Sequence, residues 1–300
     1  MDACAPVRIA ISLCLLHSNA SNFEHEWVGF NASVATGGQS LGPRFMRVGD
    51  QTRPGEQRVS VLADLRVLIT GAGRGLGRAC AEAVVDAGGE VIAVARSVGD
   101  LADLAESRPG RIETWTMDVS DPAFHARVAA LPRLDGLVNN AGFNRPQPFT
   151  EVDVETLDGM LALNVRAAFL TAQAAAKVMV AQRSGVIVNM TSQMGHVGSP
   201  GRTVYCVTKH ALEGLTKAAA VELAPRGVRV VSLAPTFIET PMTAPMLADE
   251  TFSRFVLDRI PLGRVGTAAE VAAACVFLLS PAASMVTGSS LLADGGWTAQ

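Results

Sequence analysis

The sequence predicts an α/β protein: one doubly wound parallel sheet of seven strands in a single domain. Three observations predict it. Strand-length runs rich in Val, Ile or Leu recur from residue 65 onward. Helix-length stretches separate them. The early runs are continuously apolar, as in strands buried on both faces beneath covering helices. Alternation of strand and helix winds into an open parallel sheet.

The elements follow in order. The first strand, 66–70, runs straight into a glycine-rich turn, and a helix is expected over 78–87. The second strand, 90–95, is apolar after its first residue, and the third spans 112–117. A fourth at 136–139 ends in Asn139-Asn140-Ala141-Gly142. The stretch 154–182 reads as one long helix, followed by a fifth strand at 186–190. A helix over 205–224 leads to the sixth strand at 228–233, and 290–293 supplies the seventh. No internal repeat or low-complexity tract interrupts the pattern.

Residues 1–60 lack any sustained period. They are expected to be an N-terminal extension, disordered or the product of a start placed too early, with Met46 as an alternative start. The apolar stretch 9–16 is short, and Arg8 is its only nearby positive charge, against Asp2. That argues against a secretory signal. The domain proper is expected over 61–300.

Composition narrows the function classes. Hydrophobic residues at 49% and charged residues at 18% suffice for one substantial core. A net charge of −3 with no basic run argues against a nucleic-acid surface. No apolar stretch approaches the roughly 20 residues that span a bilayer, so no membrane partner is expected. The five cysteines, Cys4, Cys14, Cys80, Cys206 and Cys275, are odd in number and form no CxxC pair. Neither a disulfide framework nor a metal site is expected, and reduced thiols suit a cytoplasmic protein.

The first strand enters Thr70-Gly71-Ala72-Gly73-Arg74-Gly75-Leu76-Gly77. Glycines there permit tight turning and close approach of backbone N–H groups to a pyrophosphate, and a helix N-terminus adds favourable partial charge. Strand, loop and helix stand in the order that a dinucleotide site of the Rossmann type requires. An acid at the end of the second strand would bind the ribose 2′-OH of NAD. Here Ala95 takes that slot and Arg96 follows, with Arg74 in the loop. Two guanidinium groups suit a 2′-phosphate, which favours NADP(H) over NAD(H).

The chain has a single tyrosine, Tyr205, with Lys209 four residues on. On a helix both side chains share a face, and a nearby ammonium, aided by the positive charge of an oxidised nicotinamide, is expected to lower the phenol's pKa. Ser192 lies thirteen residues upstream, just past the fifth strand.

These motifs, in this order, resemble the classical short-chain dehydrogenases/reductases. The glycine loop has their Thr-Gly-x-x-x-Gly-x-Gly spacing, and the GxxGxxG spacing of extended members is absent. The likeness covers roughly 65–300. It implies an NAD(P)-dependent oxidoreductase that moves a hydride between a nicotinamide and a carbonyl or secondary alcohol. Ser192, Tyr205, Lys209 and Asn164 would be its catalytic residues, with Tyr205 as general acid/base. The resemblance also assigns Gly71, Arg74, Gly75, Leu76, Gly77 and Arg96 to the cofactor's phosphates and ribose. Asp118 and Val119 would meet the adenine. Asn140, Ala141 and Gly142 would lie beside the cofactor, where Tyr205 and Lys209 also reach. Pro235, Ile238 and Thr240 would hold the carboxamide. One departure is Thr236, where the family usually has Gly.

The family resemblance leaves the substrate between a sugar or polyol and a 3-oxoacyl thioester. The segment 236–261, with Phe237, Met242, Met246, Leu247, Phe252 and Phe255, is expected to line the pocket, with part of it serving as core or lid packing, and Gln193 and His196 are either polar contacts or structural loop residues. A homo-oligomer, tetramer or dimer, is expected, because the helix over 205–224 carries an apolar stripe wider than one sheet-facing side. The alternative is a non-catalytic NAD(P)-binding sensor or scaffold. Such a protein would be free to lose Ser192, Tyr205 and Lys209, and all three are present.

Overall fold

The computed structural model describes residues 60–241 and 243–300. The expectations placed on residues 1–59, including Met46 and the apolar stretch 9–16, and those on Met242 lie outside the described residues. Seven parallel strands form the central sheet: β1 (Arg66–Thr70), β2 (Glu90–Ala95), β3 (Ile112–Thr116), β4 (Gly136–Asn139), β5 (Gly185–Met190), β6 (Val228–Pro235) and β9 (Ser290–Ala293). Their order is β3-β2-β1-β4-β5-β6-β9. Two further strands of two residues each, β7 (Ile238–Glu239) and β8 (Gly266–Thr267), pair apart from it.

Continuous apolarity in the strands has a direct cause. Alternate residues of β1 enter different layers: Val67 and Ile69 pack with Cys80 and Val84 of α1 (Gly75–Asp86), while Leu68 packs with Ile92, Phe124 and Leu137 on the other face. The first layer also holds Val271 and Cys275 of α9 (Ala268–Leu279). Cys80 and Cys275 are buried, unpaired thiols that share a hydrogen bond across α1 and α9. Among the described residues no helix is long and apolar enough to cross a membrane.

Strand order reverses at β1, which lies between β2 and β4. Ligands of open α/β sheets bind at such a switch point, outside the carboxyl ends of the strands. Thr70 pins it. Its buried hydroxyl accepts from the backbone N–H of Asn140 at 2.9 Å and of Ala141 at 3.0 Å, and the Asn140 amide donates to the Thr70 carbonyl at 2.9 Å. Deeper in the sheet, Asn139 donates to Asn189 Oδ1 at 3.2 Å and Asn189 to Thr216 Oγ1 at 2.9 Å. These bonds tie β4, β5 and α6 (Thr203–Leu223) through buried, satisfied amides.

The stretch expected as one helix has three parts: α4 (Val154–Leu161), a π-helical segment (Ala162–Ala167) and α5 (Ala168–Gln182). Asn164 sits in the π segment. Its Oδ1 accepts from the Phe143 N–H at 3.0 Å, and its Nδ2 donates to the Phe143 carbonyl at 2.8 Å and to Thr208 Oγ1 at 3.3 Å. A π-bulge widens the helix locally and is common at functional sites; here it brings the amide to three partners at once.

Candidate active site

A cleft of about 870 Å³ opens at the carboxyl ends of β1, β2, β4, β5 and β6. Gly71, Arg74, Gly75, Leu76, Arg96, Asp118, Val119, Asn140, Ala141, Gly142, Ser192, Tyr205, Lys209, Pro235, Ile238 and Thr240 line it. Two of the expected residues lie behind its wall. Gly77 packs against Gly71, and Asn164 is buried beneath Phe143.

The glycine loop is built for a close ligand. Gly71 has φ +67°, and a Cβ there would stand 2.9 Å from Asn140 Nδ2. At Gly75 (φ +56°) a Cβ would meet nothing within 4 Å, so the space beside that backbone is open. The α1 N-terminus has no side-chain cap and no acid in its first turn. Its N–H groups are free for an anion. Two buried polar atoms in the wall, Asn144 Oδ1 and Thr236 Oγ1, have no protein partner. The open cradle, the uncapped helix and these orphaned acceptors together fit a dinucleotide and a polar substrate.

At the end of β2, the Arg96 side chain is 79% exposed and its Nη1 lies 3.9 Å from Asp118 Oδ2. Arg74 is exposed as well. Asp100 also lines this end, close to Gly73, where a Cβ would meet Asp100 Cβ at 2.9 Å. No local pattern in the sequence singled Asp100 out.

Ser192 follows β5, and its hydroxyl donates to Gln193 Oε1 at 2.8 Å and accepts from the Met194 N–H at 3.2 Å. Tyr205 and Lys209 stand one turn apart on α6. Lys209 Nζ donates to the Met190 carbonyl at 2.9 Å and lies 5.3 Å from the centre of the Tyr205 ring. Burial pushes the Lys209 ammonium down to about 8, with Glu213 opposing the shift. Burial pushes the Tyr205 phenol up to about 12, while the neighbouring Ser192 hydroxyl and the charge of Arg202 pull it down. In the folded chain desolvation dominates, and the protein cation acting against it is Arg202.

His196 and the aromatic side chains of 236–261 have other duties. His196 Nε2 lies 3.0 Å from Ser290 Oγ and 3.3 Å from the buried Glu213 carboxylate. Phe237 packs with Val256, Ile260, Phe252, Phe255 and Trp297 in a separate apolar cluster that reaches Tyr205. Glu213 and Arg202 were missed, although spacing carried the signal. Glu213 is four residues after Lys209 and Arg202 three before Tyr205, so each lies over the same helical face.

Residues 71–298 match a family model described as enoyl-(acyl carrier protein) reductase. The chain is 42% identical over 240 residues to L-xylulose reductase of Bos taurus, covering 79% of this chain and 98% of the relative. The chain belongs to the short-chain dehydrogenase/reductase family. A 3-oxoacyl-acyl-carrier-protein reductase of Thermotoga maritima is 40% identical over 239 residues, covering 76% of this chain and 96% of that one. A gluconate 5-dehydrogenase of Burkholderia cenocepacia, solved in complex with NADP and tartrate, has a TM-score of 0.77 at 31% identity, covering 81% of this chain and 99% of that one. As a short-chain dehydrogenase/reductase, the protein is an NAD(P)-dependent oxidoreductase acting on CH–OH and C=O groups.

Proposed function

We propose that the protein reduces the carbonyl of a small polyhydroxylated substrate with NADP(H), by a Ser192–Tyr205–Lys209 mechanism with Tyr205 as general acid. The observation that carries this reading is the convergence of these three side chains in the cleft whose other end is the glycine loop. Gly71, Arg74, Gly75 and Leu76 would hold the pyrophosphate, with Gly77 packing the loop. Asp118 and Val119 would flank the adenine, and Asn140, Ala141 and Gly142 the neighbouring ribose. Pro235, Ile238 and Thr240 would hold the carboxamide. The bound nicotinamide supplies the hydride, or accepts it in the reverse direction.

The chain's own residues manage the proton and the geometry. Burial keeps Tyr205 a phenol well above neutral pH, which suits a proton donor to a carbonyl oxygen. Ser192 turns its hydroxyl from Gln193 to the same oxygen. Lys209, anchored on the Met190 carbonyl, places a cation below the ring and beside the cofactor's ribose. Asn164 acts as a positioning residue, joining Phe143 of the wall to Thr208, whose hydroxyl donates to the Tyr205 carbonyl at 2.8 Å.

NADP(H) is favoured over NAD(H) because Ala95 stands where a ribose-binding acid would, with Arg74 and Arg96 on the cleft. The gluconate 5-dehydrogenase structure with NADP supports the same preference. A sugar-type substrate is supported by the orphaned Asn144 Oδ1 and Thr236 Oγ1, which hydroxyl groups would satisfy, and by the L-xylulose reductase and gluconate dehydrogenase relatives. The Thermotoga maritima relative favours a second reading, a 3-oxoacyl thioester. Initial rates with NADPH and NADH on ketoses, keto sugar acids and 3-oxoacyl thioesters decide between them. Absence of turnover on every compound would overturn the oxidoreductase reading. A homo-oligomer, tetramer or dimer, joined through α5 and α6 completes the proposal.

A further inference from the structure

Arg202 occupies the N-cap of α6, one turn before Tyr205. Its residue is only 8% exposed. Among the described residues no carboxylate pairs with it, and its one side-chain hydrogen bond runs from Nη2 to Met246 Sδ at 3.3 Å. A thioether is a weak acceptor, and a guanidinium has five donors to satisfy. Met246 belongs to α7 (Ala244–Leu247), which follows the cleft residues Thr240, Pro241 and Thr243. The α6 N-terminus has no side-chain cap and no acid in its first turn. The Arg202 charge reaches Tyr205, whose phenol it favours in the ionised form. Burying a cation without a counter-charge is costly, and an arginine does not escape the cost by losing its proton.

Glu213, the buried acid nearest in sequence on α6, is already engaged. It accepts from Ser232 Oγ at 2.8 Å and Ser290 Oγ at 3.2 Å. Among the described residues Arg202 is therefore left without a counter-charge, one turn before Tyr205 on α6. We infer that Arg202 binds a carboxylate on the substrate, so that the enzyme acts on keto or hydroxy acids of the sugar type in preference to neutral ketoses. One planar guanidinium with free donors matches one carboxylate bidentately. A phosphate ester, with nearly twice the charge, would call for a second cation, and Lys209 is held on the Met190 carbonyl. This inference rests on the proposed carbonyl reduction at Tyr205 and names its substrate class.

The test compares 5-keto-D-gluconate with L-xylulose at saturating NADPH, and titrates L-tartrate into the NADP+-loaded protein by calorimetry. The wild type is expected to show kcat/KM at least roughly tenfold higher on the keto acid, the scale of one charge-assisted hydrogen bond. Tartrate binding is expected as well. Arg202→Gln should lower the keto-acid to ketose ratio roughly tenfold to hundredfold, mainly through KM, and weaken tartrate by a similar factor. Arg202→Lys should fall between. A wild type that prefers the neutral ketose overturns the inference, as does an Arg202→Gln enzyme with an unchanged ratio. If the glutamine variant does not fold, the wild-type preference and the lysine variant still decide. If no carbonyl compound is turned over, the proposed reaction fails, and the tartrate titration alone rules on the carboxylate site.

Discussion

A Cβ atom on Gly77 would stand 2.2 Å from the carbonyl oxygen of Gly71, seven tenths of an ångström closer than the 2.9 Å contact a Cβ on Gly71 would make with Asn140. No rotamer relieves a clash between Cβ and backbone, so Gly77→Ala must displace the loop or the first turn of α1. We expect a stability loss of about 1–3 kcal/mol, the usual scale of overpacking, with loss of NADPH binding. Thermal melts and fluorescence titration measure the two effects. A variant that binds NADPH like the wild type would show that the loop adapts freely.

Tyr205→Phe keeps the ring and its packing and removes only the hydroxyl. Turnover should fall roughly 10²–10⁴-fold, the scale of a general acid–base group, while NADPH affinity stays near the wild-type value. Single-turnover reduction followed at the nicotinamide absorbance checks it. Retention of more than about a tenth of kcat would exclude Tyr205 as the proton donor.

The buried Lys209 gives a pH signature in stability. Its folded pKa lies near 8, below the ordinary 10.5, so between those values the unfolded chain binds more protons than the native one. Stability then rises with pH across that window, on the order of 1 kcal/mol per unit at most. Tyr205 works oppositely. Its folded pKa near 12 exceeds the ordinary 10.0, so above pH 10 the unfolded chain has lost a proton that the native state keeps, and stability falls. Lys209→Met should flatten the rise from pH 8 to 10 in denaturant midpoints and leave the later fall in place.

Cofactor choice should reverse with one side chain. Ala95→Asp sets a carboxylate at the end of β2, which repels a 2′-phosphate and accepts a ribose hydroxyl, so kcat/KM should shift from NADPH toward NADH. Arg96→Ala should weaken NADPH by only about 1 kcal/mol, because its side chain is 79% exposed and surface charge pairs are screened. Paired kinetics at fixed ionic strength give both numbers.

The α6 face away from the sheet carries Val207 and Val221, the latter 80% exposed, and α5 carries the exposed Phe169. An oligomer built on this face should be a dimer or tetramer by light scattering at micromolar concentration. Val221→Glu should shift it toward monomer. A monomeric wild type would remove the proposal.

Much of this was legible in the sequence for a physical reason: the features are local. Strand polarity, the spacing of Gly71, Gly75 and Gly77, and the four-residue step from Tyr205 to Lys209 each depend on a few consecutive residues. What escaped depends on neighbours distant in the chain. The π segment at Asn164 answers to Phe143 and Thr208, which only the fold brings near. The direction of the Tyr205 shift depends on how deeply the helix is sunk, and Lys209 turns to Met190 because that carbonyl closes β5. The packing of Phe237, Phe252 and Phe255 with Trp297 likewise depends on the far end of the chain.

The thiol pair between α1 and α9 offers a clock for local opening. Cys275 shares a hydrogen bond with Cys80 and is deeply buried, and both hold its thiol well above the ordinary range. Thiolate is the form that alkylating reagents attack, so Cys275 should not react until the two helices part, and Cys80, fully buried beside it, stays out of a reagent's reach until then. Among the described cysteines, the partly exposed Cys206 would label early, and the slow pair would count partings of α1 from α9. Because α1 begins at the glycine loop, a dinucleotide settling on its first turn should make that clock run slower, registering occupancy some distance from the ligand without any turnover.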